Sequence, residues 1–187
     1  MPAWNSINWE IFLYFSDSNS IPINRVTALS QDGRYPIENL IDNDDTTFYL
    51  SSKIPTPYPW VQIELVDKKE IKHVKITNRL DCCGERLAKI EVRVGDYEVS
   101  NFGRSAISKN ELCARYNGPA QDGEIVWVSC YRPISGKYIT IQALGWSSVY
   151  MNIAEVEILK NIPGNFMYIF NLLSYKMIFR NVSFMLF

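Results

Sequence analysis

The chain has 187 residues, a length that suits one domain with some chain to spare. Apolar residues make up 47% of it, which is ample for a core, and the net charge of −1 gives no basic field that would hold a nucleic acid. Four cysteines are too few for a disulfide-stapled miniprotein, and they are compatible with a secreted domain that holds two disulfides.

Residues 1–20 form an N-terminal segment of uncertain status. They are apolar in places, but they lack the basic start and the small-residue cleavage site of a secretion signal. Residues 21–160 are predicted to form one domain.

Within residues 21–160 the pattern is that of an all-β protein. Alternating runs occur at Val61–Leu65, Ile71–Thr77, Ile90–Val94, Ile125–Val128, Tyr138–Gln142 and Ala154–Ile158. Turn residues separate them, at Asp67–Lys69, Gly84, Gly95–Asp96, Asn117–Pro119 and Ser135–Gly136. A single helical turn is expected within Pro36–Ile41. Short alternating strands broken by turns predict an antiparallel β-sandwich of the jelly-roll kind.

Residues 161–187 form an apolar C-terminal tail, but Lys176 and Arg180 interrupt it. A membrane span needs ~20 predominantly apolar residues, and a charge at its centre is costly. Two interpretations stay open: a non-native tail, or a helix that associates with a membrane or a partner.

The run Asn78–Arg86, with the sequence NRLDCCGER, carries the most chemistry. If Cys82 and Cys83 are bonded to each other, they form a rigid apolar plate, because their Cα atoms are only ~3.8 Å apart across a trans peptide. Arg79 and Arg86 add forked donors that stay charged. An apolar plate beside fixed donors suits a small ligand with one apolar face and several hydroxyls, such as a deoxy-sugar.

The same run resembles the signature of the F-type lectins, the fucolectin group, in which Arg-x-Asp-Cys-Cys-Gly-Glu-Arg forms most of the sugar site. Only Leu80 departs from the commonest form, which has a glycine there. The resemblance implies a discoidin-like jelly roll, secretion, and binding of fucosylated glycans. It assigns the sugar contacts to Arg79, Arg86, Cys82, Cys83 and, at a lower rank, Asp81. Asp81 is expected mainly to orient an arginine or the loop.

Cys113 and Cys130 fit a second disulfide around a turn-rich loop, and the resemblance supports this pairing. The alternative is two free thiols. A zinc site and a nucleophilic cysteine are both weakly supported, since Cys82 and Cys83 are adjacent and the one histidine, His73, lies in an alternating strand.

The loop Glu38–Asp45 is dense in the oxygen ligands that calcium prefers, although it lacks the order of an EF-hand. On composition alone it is a solvated acidic turn. The resemblance implies instead a structural calcium ion, held by Asn39, Asp42, Asp44, Ser52 and Glu155.

The chain departs from the family pattern in two places. The family supplies a histidine to the sugar from the loop before its Pro-Trp strand. Here that loop, Ser51–Pro59, has none, and Lys53 is the nearest substitute. The family's cysteine beside the closing strand is replaced by Ala154. Loss of one polar contact costs ~1–3 kcal/mol, so weaker or altered sugar binding is expected.

Three functions remain. The first is a secreted, calcium-braced lectin for fucose-like sugars, whose weak single sites favour a homo-oligomer. The second is a discoidin-type adhesion module with a degenerate sugar site, which binds another glycan, a phospholipid or a protein. The third, a glycosidase, needs two facing carboxylates, and only Asp81 lies near the motif. The chain is therefore predicted not to be an enzyme.

Overall fold

The computed structural model describes residues 19–52, 57–99, 109–144 and 150–160. Eight β-strands lie in these ranges: β1 Ile23–Ala28, β2 Tyr49–Leu50, β3 Trp60–Thr77, β4 Ile90–Gly95, β5 Glu111–Tyr116, β6 Ile125–Ala143, β7 Asn152–Ile153 and β8 Glu155–Leu159. Two single-turn 3₁₀ helices accompany them, at Ile37–Leu40 and Gly84–Arg86. The first lies within the turn expected at Pro36–Ile41. Residues 1–18 and 161–187, and with them most of the two predicted end segments, lie outside the described residues.

All pairings between these strands are antiparallel. The main sheet has the order β1-β3-β6-β4-β5, with β8 also paired to β3, and β2 pairs with β7 in a small second sheet. Because neighbouring strands run in opposite directions, the connections between them lie at the two opposite ends of the sandwich.

The long strands β3 and β6 fold the main sheet over on itself. The first half of β3 pairs with β1, and its second half pairs with β8. Between the halves the register with β6 shifts, between Glu64 and Lys69, and residues 66–70 are exposed. This bend is where the turn Asp67–Lys69 was expected. The chain does turn there, but it does so within one continuous strand.

The core lies between the two halves. Val61 and Ile63 from the first half of β3 belong to the same buried cluster as Val74 and Ile76 from its second half. Ile63 is paired directly with Ile139, and both are fully buried. One cluster that joins residues from both halves means that the two layers face each other, which confirms the predicted all-β antiparallel sandwich.

The expected turn at Ser135–Gly136 also lies within a strand, the continuous β6. A glycine is needed there because the two backbones pack closely: a Cβ on Gly136 would lie 2.6 Å from the Gly95 backbone nitrogen. Within the described part of the chain, no helix is long and apolar enough to cross a membrane.

Candidate functional site

The loop that carries the NRLDCCGER run connects the two layers at one end of the sandwich. It leaves β3 at Thr77, whose register partners are Ile125 and Glu155, and it enters β4 at Ile90, whose partner is Ala143. The loop between β5 and β6 runs beside it, since the Lys89 backbone N–H donates to the Asn117 carbonyl over 3.0 Å. This end of the molecule is called the loop end below.

Cys82 and Cys83 are bonded to each other, as the sequence predicts. Cys83 has a positive φ of 66°, in the left-handed region, and the 3₁₀ turn Gly84–Arg86 follows it directly. Both cysteines are only half-buried, so the disulfide is accessible at the surface. It can therefore act as an apolar contact surface in the same loop as Arg79 and Arg86.

Asn78 and Gly84 hold this loop in place, a role that the sequence analysis missed. Asn78 is fully buried, and its side-chain amide donates to the carbonyls of Gly84 and Gln121 over 3.0 and 2.8 Å. The Gly84 N–H donates to the Asp122 carboxylate over 2.7 Å, and a Cβ on Gly84 would lie 2.5 Å from the Asp122 backbone nitrogen. Only glycine permits this close approach, and these bonds tie the loop to residues 121 and 122 of the β5–β6 connection.

Arg79 is held by Asp81 and by an aromatic ring. Its Nε and Nη2 donate to the two carboxylate oxygens of Asp81, the second bond being 2.7 Å long. Its guanidinium carbon lies 3.8 Å from the centroid of the Phe48 ring. The hydrogen bond from Arg79 lowers the pKa of Asp81 to about 2, so the pair stays ionised at ordinary pH. This geometry agrees with the expectation that Asp81 orients an arginine.

Arg86 lies on a second aromatic ring of the same cluster. Its guanidinium carbon is 5.1 Å from the centroid of Tyr150. Tyr150, Phe48 and Tyr35 pack together around the buried Leu50 and Ala154. We call these three rings the aromatic floor. Both motif arginines therefore lie on one apolar cluster, a geometry that favours cation–π contacts.

The aromatic floor was missed in the sequence. Three separate loops supply Tyr35, Phe48 and Tyr150. Phe48 precedes β2 and Tyr150 precedes β7, and the pairing of β2 with β7 brings these two residues together. The available signal was an excess of aromatic residues in loops, which by itself does not say which of them meet.

Cys113 and Cys130 are joined by a disulfide with an S–S distance of 2.03 Å, which confirms the second predicted pair. All four cysteines of the chain are therefore oxidised. Neither a zinc–thiolate site nor a thiolate nucleophile is available. His73 contacts the Ser129 hydroxyl over 3.0 Å and is an ordinary strand residue, as expected.

The acidic loop meets the start of β8. The Asn43 N–H donates to Glu155 over 3.0 Å, and the Asp42 carboxylate accepts from the Thr47 hydroxyl over 2.7 Å. Asp44 accepts from Thr46 over 2.9 Å. Glu155 is only 5% exposed, and burial, with a smaller contribution from the charge of Asp42, raises its pKa to about 7. A cation between Asp42 and Glu155 would relieve both the burial cost and the repulsion.

The remaining predicted calcium ligands fit this site less directly. Asn39 donates through its amide nitrogen to the Phe48 carbonyl over 3.0 Å, and Ser52 lies two residues after the end of β2. In the described ranges, no three histidine, cysteine or acidic side chains converge as a metal site would require. Neutral oxygens would have to complete the coordination. Lys53, the predicted substitute for the family's histidine, lies outside the described residues.

Comparison with known proteins assigns the chain to a family. Residues 25–156 match the F5/8 type C domain. Fucolectin-5 of Anguilla japonica is 31% identical over 131 residues, which cover 70% of this chain and 65% of that protein. The fucolectin of Anguilla anguilla is 32% identical over 130 residues, which cover 67% of this chain and 77% of that protein. The chain thus spans just under two thirds of the length of Fucolectin-5, and more of the Anguilla anguilla protein.

Solved structures agree on the fold. An F-lectin (fucolectin) from the serum of the striped bass, Morone saxatilis, superposes with a TM-score of 0.63 at 21% identity, covering 72% of this chain and 46% of that one. A fucose binding module of Streptococcus pneumoniae gives a TM-score of 0.59 at 19% identity, covering 76% and 94%. These structures share the fold, and the family match and the eel fucolectins agree with the prediction of a domain without catalysis. The chain belongs to the F5/8 type C domain family, and its relatives within that family include the eel fucolectins.

Proposed function

We propose that this domain is a non-catalytic lectin that binds a fucose-like terminal sugar at its loop end. The observation that carries the proposal is the position of Arg79 and Arg86, which flank the accessible Cys82–Cys83 disulfide in the sequence and whose guanidinium groups both lie on the aromatic floor. The guanidinium groups supply fixed donors for hydroxyl and ring oxygens, and the disulfide supplies an apolar surface for the less polar face of a deoxy-sugar. The fucolectin names of the relatives support the same ligand class.

An L-fucose titration of the oxidised, full chain by calorimetry tests this proposal, with D-glucose as the control sugar. We expect saturable heat with one site per chain for L-fucose and none for D-glucose. Because no histidine is present in the loop Ser51–Pro59, the affinity is expected to be about tenfold or more below that of a site with one further polar contact. No heat from the folded, disulfide-intact chain would contradict the proposal.

The absent histidine also favours a second candidate, a discoidin-type adhesion module whose sugar site is degenerate. In that case L-fucose gives no heat, while another glycan, a phospholipid vesicle or a protein ligand binds. The L-fucose titration therefore distinguishes the two candidates, because only the first of them predicts heat with L-fucose.

Location and assembly follow as parts of the proposal. Two disulfides are typical of an oxidising compartment, and the striped bass relative comes from serum, so we infer an extracellular site of action. Fucosylated glycans on cell surfaces would present many copies of the ligand. A homo-oligomer would then convert weak single sites into avid binding.

We infer further that a calcium ion braces the acidic loop, and its removal gives a prediction. Calcium is expected to raise the Tm of the wild-type chain by several degrees, because it would bind the folded loop and not the unfolded chain. Asp42→Asn and Glu155→Gln are expected to abolish this shift. Asp45→Asn, which removes an exposed acid from the same loop, should keep it. The measurement is thermal unfolding with about 10 mM calcium against chelator, which is roughly 10–100 times the Kd of ~0.1–1 mM typical of extracellular calcium sites. A Tm that chelator does not change would contradict the calcium site.

A further inference from the structure

The two disulfides of the chain differ in how easily a thiol can reach them. Cys82 and Cys83 are both partly exposed, in the loop that carries the NRLDCCGER run. Cys113 is fully buried in the main core cluster, and its partner Cys130 is only partly exposed. A thiolate reduces a disulfide by attacking one sulfur and displacing the other as a thiolate. Both sulfurs of the first pair are open to this attack, whereas the second pair offers one at most.

The displaced sulfur separates the two disulfides further. An attack on Cys130 would leave the thiolate on Cys113, inside the apolar core, where an unpaired charge is costly. An attack on Cys82 or Cys83 leaves the thiolate on a partly exposed residue, which water can solvate. Exposed disulfides are in general the labile ones. A thiol is therefore expected to reduce the Cys82–Cys83 disulfide first.

The loop around Cys82 and Cys83 is held by contacts that contain no sulfur. The side-chain amide of Asn78 donates to the Gly84 carbonyl over 3.0 Å, and the Gly84 N–H donates to the Asp122 carboxylate over 2.7 Å. These bonds remain when the S–S bond breaks, so the reduced loop stays anchored and the two thiols stay adjacent. Reduction should therefore be reversible and should leave the fold intact.

We propose that the Cys82–Cys83 disulfide is a thiol–disulfide exchange site, whose reduction by a dithiol weakens sugar binding. One thiolate of the dithiol attacks a cysteine sulfur, and the S–S electron pair leaves on the other cysteine sulfur. The second thiolate of the dithiol then resolves the mixed disulfide. The cysteines gain two electrons and two protons, and the dithiol becomes a disulfide. The apolar plate is thereby divided into two separate S–H groups. This inference rests on the proposed lectin function, which it deepens by adding a control at the same site.

Graded reduction of the oxidised, full chain with dithiothreitol shows which disulfide opens first. Alkylation of the free thiols and peptide mass spectrometry identify the reduced cysteines. We expect Cys82 and Cys83 to be alkylated at dithiothreitol concentrations about tenfold below those needed for Cys113 and Cys130, with little change in Tm. Simultaneous reduction of both pairs, or earlier reduction of Cys113 and Cys130, would overturn the inference.

Calorimetry with L-fucose on the selectively reduced chain measures the effect on binding. We expect affinity to fall about 5- to 10-fold, the effect of losing a small apolar contact, and to recover after reoxidation with oxidised glutathione. The variant Cys113→Ala/Cys130→Ala should respond to dithiothreitol as the wild type does. The variant Cys82→Ser/Cys83→Ser is the matched control, and dithiothreitol should not change its affinity.

The two measurements separate a failure of this inference from a failure of the lectin proposal. A chain that is reduced at Cys82 and Cys83 and binds L-fucose with unchanged affinity would overturn the inference and leave the lectin proposal intact. An oxidised chain that binds no L-fucose would overturn both.

Discussion

Replacing Arg79 by alanine is expected to lower L-fucose affinity about 10- to 100-fold, the effect of losing hydrogen bonds from a charged donor. Arg79 is suited to this role because its side chain is only 13% exposed and Asp81 fixes its orientation. Asp81 occupies Nε and one direction of Nη2, so Nη1 and the second Nη2 hydrogen remain for a ligand. Arg86→Ala should weaken binding in the same direction.

The matched control for this substitution is Arg132→Ala. It removes the same charge from a side chain that is 72% exposed and paired with Glu111, away from the loop end. Calorimetric titration of both folded variants against the wild type makes the comparison, and thermal unfolding shows whether each variant is folded. An Arg79→Ala domain that binds L-fucose as tightly as the wild type does would remove the basis for the proposed site.

Removing the two disulfides one at a time is expected to give opposite patterns of stability and binding. Cys113→Ala/Cys130→Ala opens a loop between residues 17 positions apart, and it should lower the free energy of unfolding by about 3 kcal/mol. Sugar affinity of the remaining folded protein should change little. Cys82→Ser/Cys83→Ser opens no chain loop beyond the two neighbouring residues, so its effect on stability should be below about 1 kcal/mol, but it removes the apolar plate.

Urea unfolding and L-fucose titration of both double variants measure this pattern. Each variant serves as the control for the other, because both lose two cysteines. If the Cys82→Ser/Cys83→Ser variant bound L-fucose like the wild type, the disulfide would not be part of the sugar site.

The sequence predicted β3, β4, β6 and β8 but missed the two strands at the ends of the sheet order, for a physical reason. The predicted runs Val61–Leu65 and Tyr138–Gln142 lie in β3 and β6, inside the sheet, where packing on both sides requires β-branched and apolar residues. The unpredicted strands β1 and β5 are at the two edges of the sheet order, and their sequences INRVTA and ELCARY mix charges with short apolar residues. Edge strands tolerate such charges, so their alternation is weak.

The candidate site shows the same division between local and long-range information. The NRLDCCGER run contains its own chemistry within nine consecutive positions, 78–86, and both the disulfide and the Arg79–Asp81 pair follow from that proximity. The aromatic floor depends on loops that are far apart in the chain. No local pattern places Tyr35 on Phe48 or Arg86 on Tyr150, because those contacts need the β2–β7 pairing and the packing of the whole loop end.

The most direct test of the central claim is an L-fucose titration followed by two-dimensional amide NMR of the full chain. The account predicts chemical-shift changes concentrated at residues 78–87 and at the loop-end positions Tyr35, Phe48 and Tyr150. Exposed residues 66–70, 131 and 132, at the bends of β3 and β6, should not change. The absence of shifts, or shifts confined to those bends, would contradict the placement of a sugar site on the arginines and the disulfide.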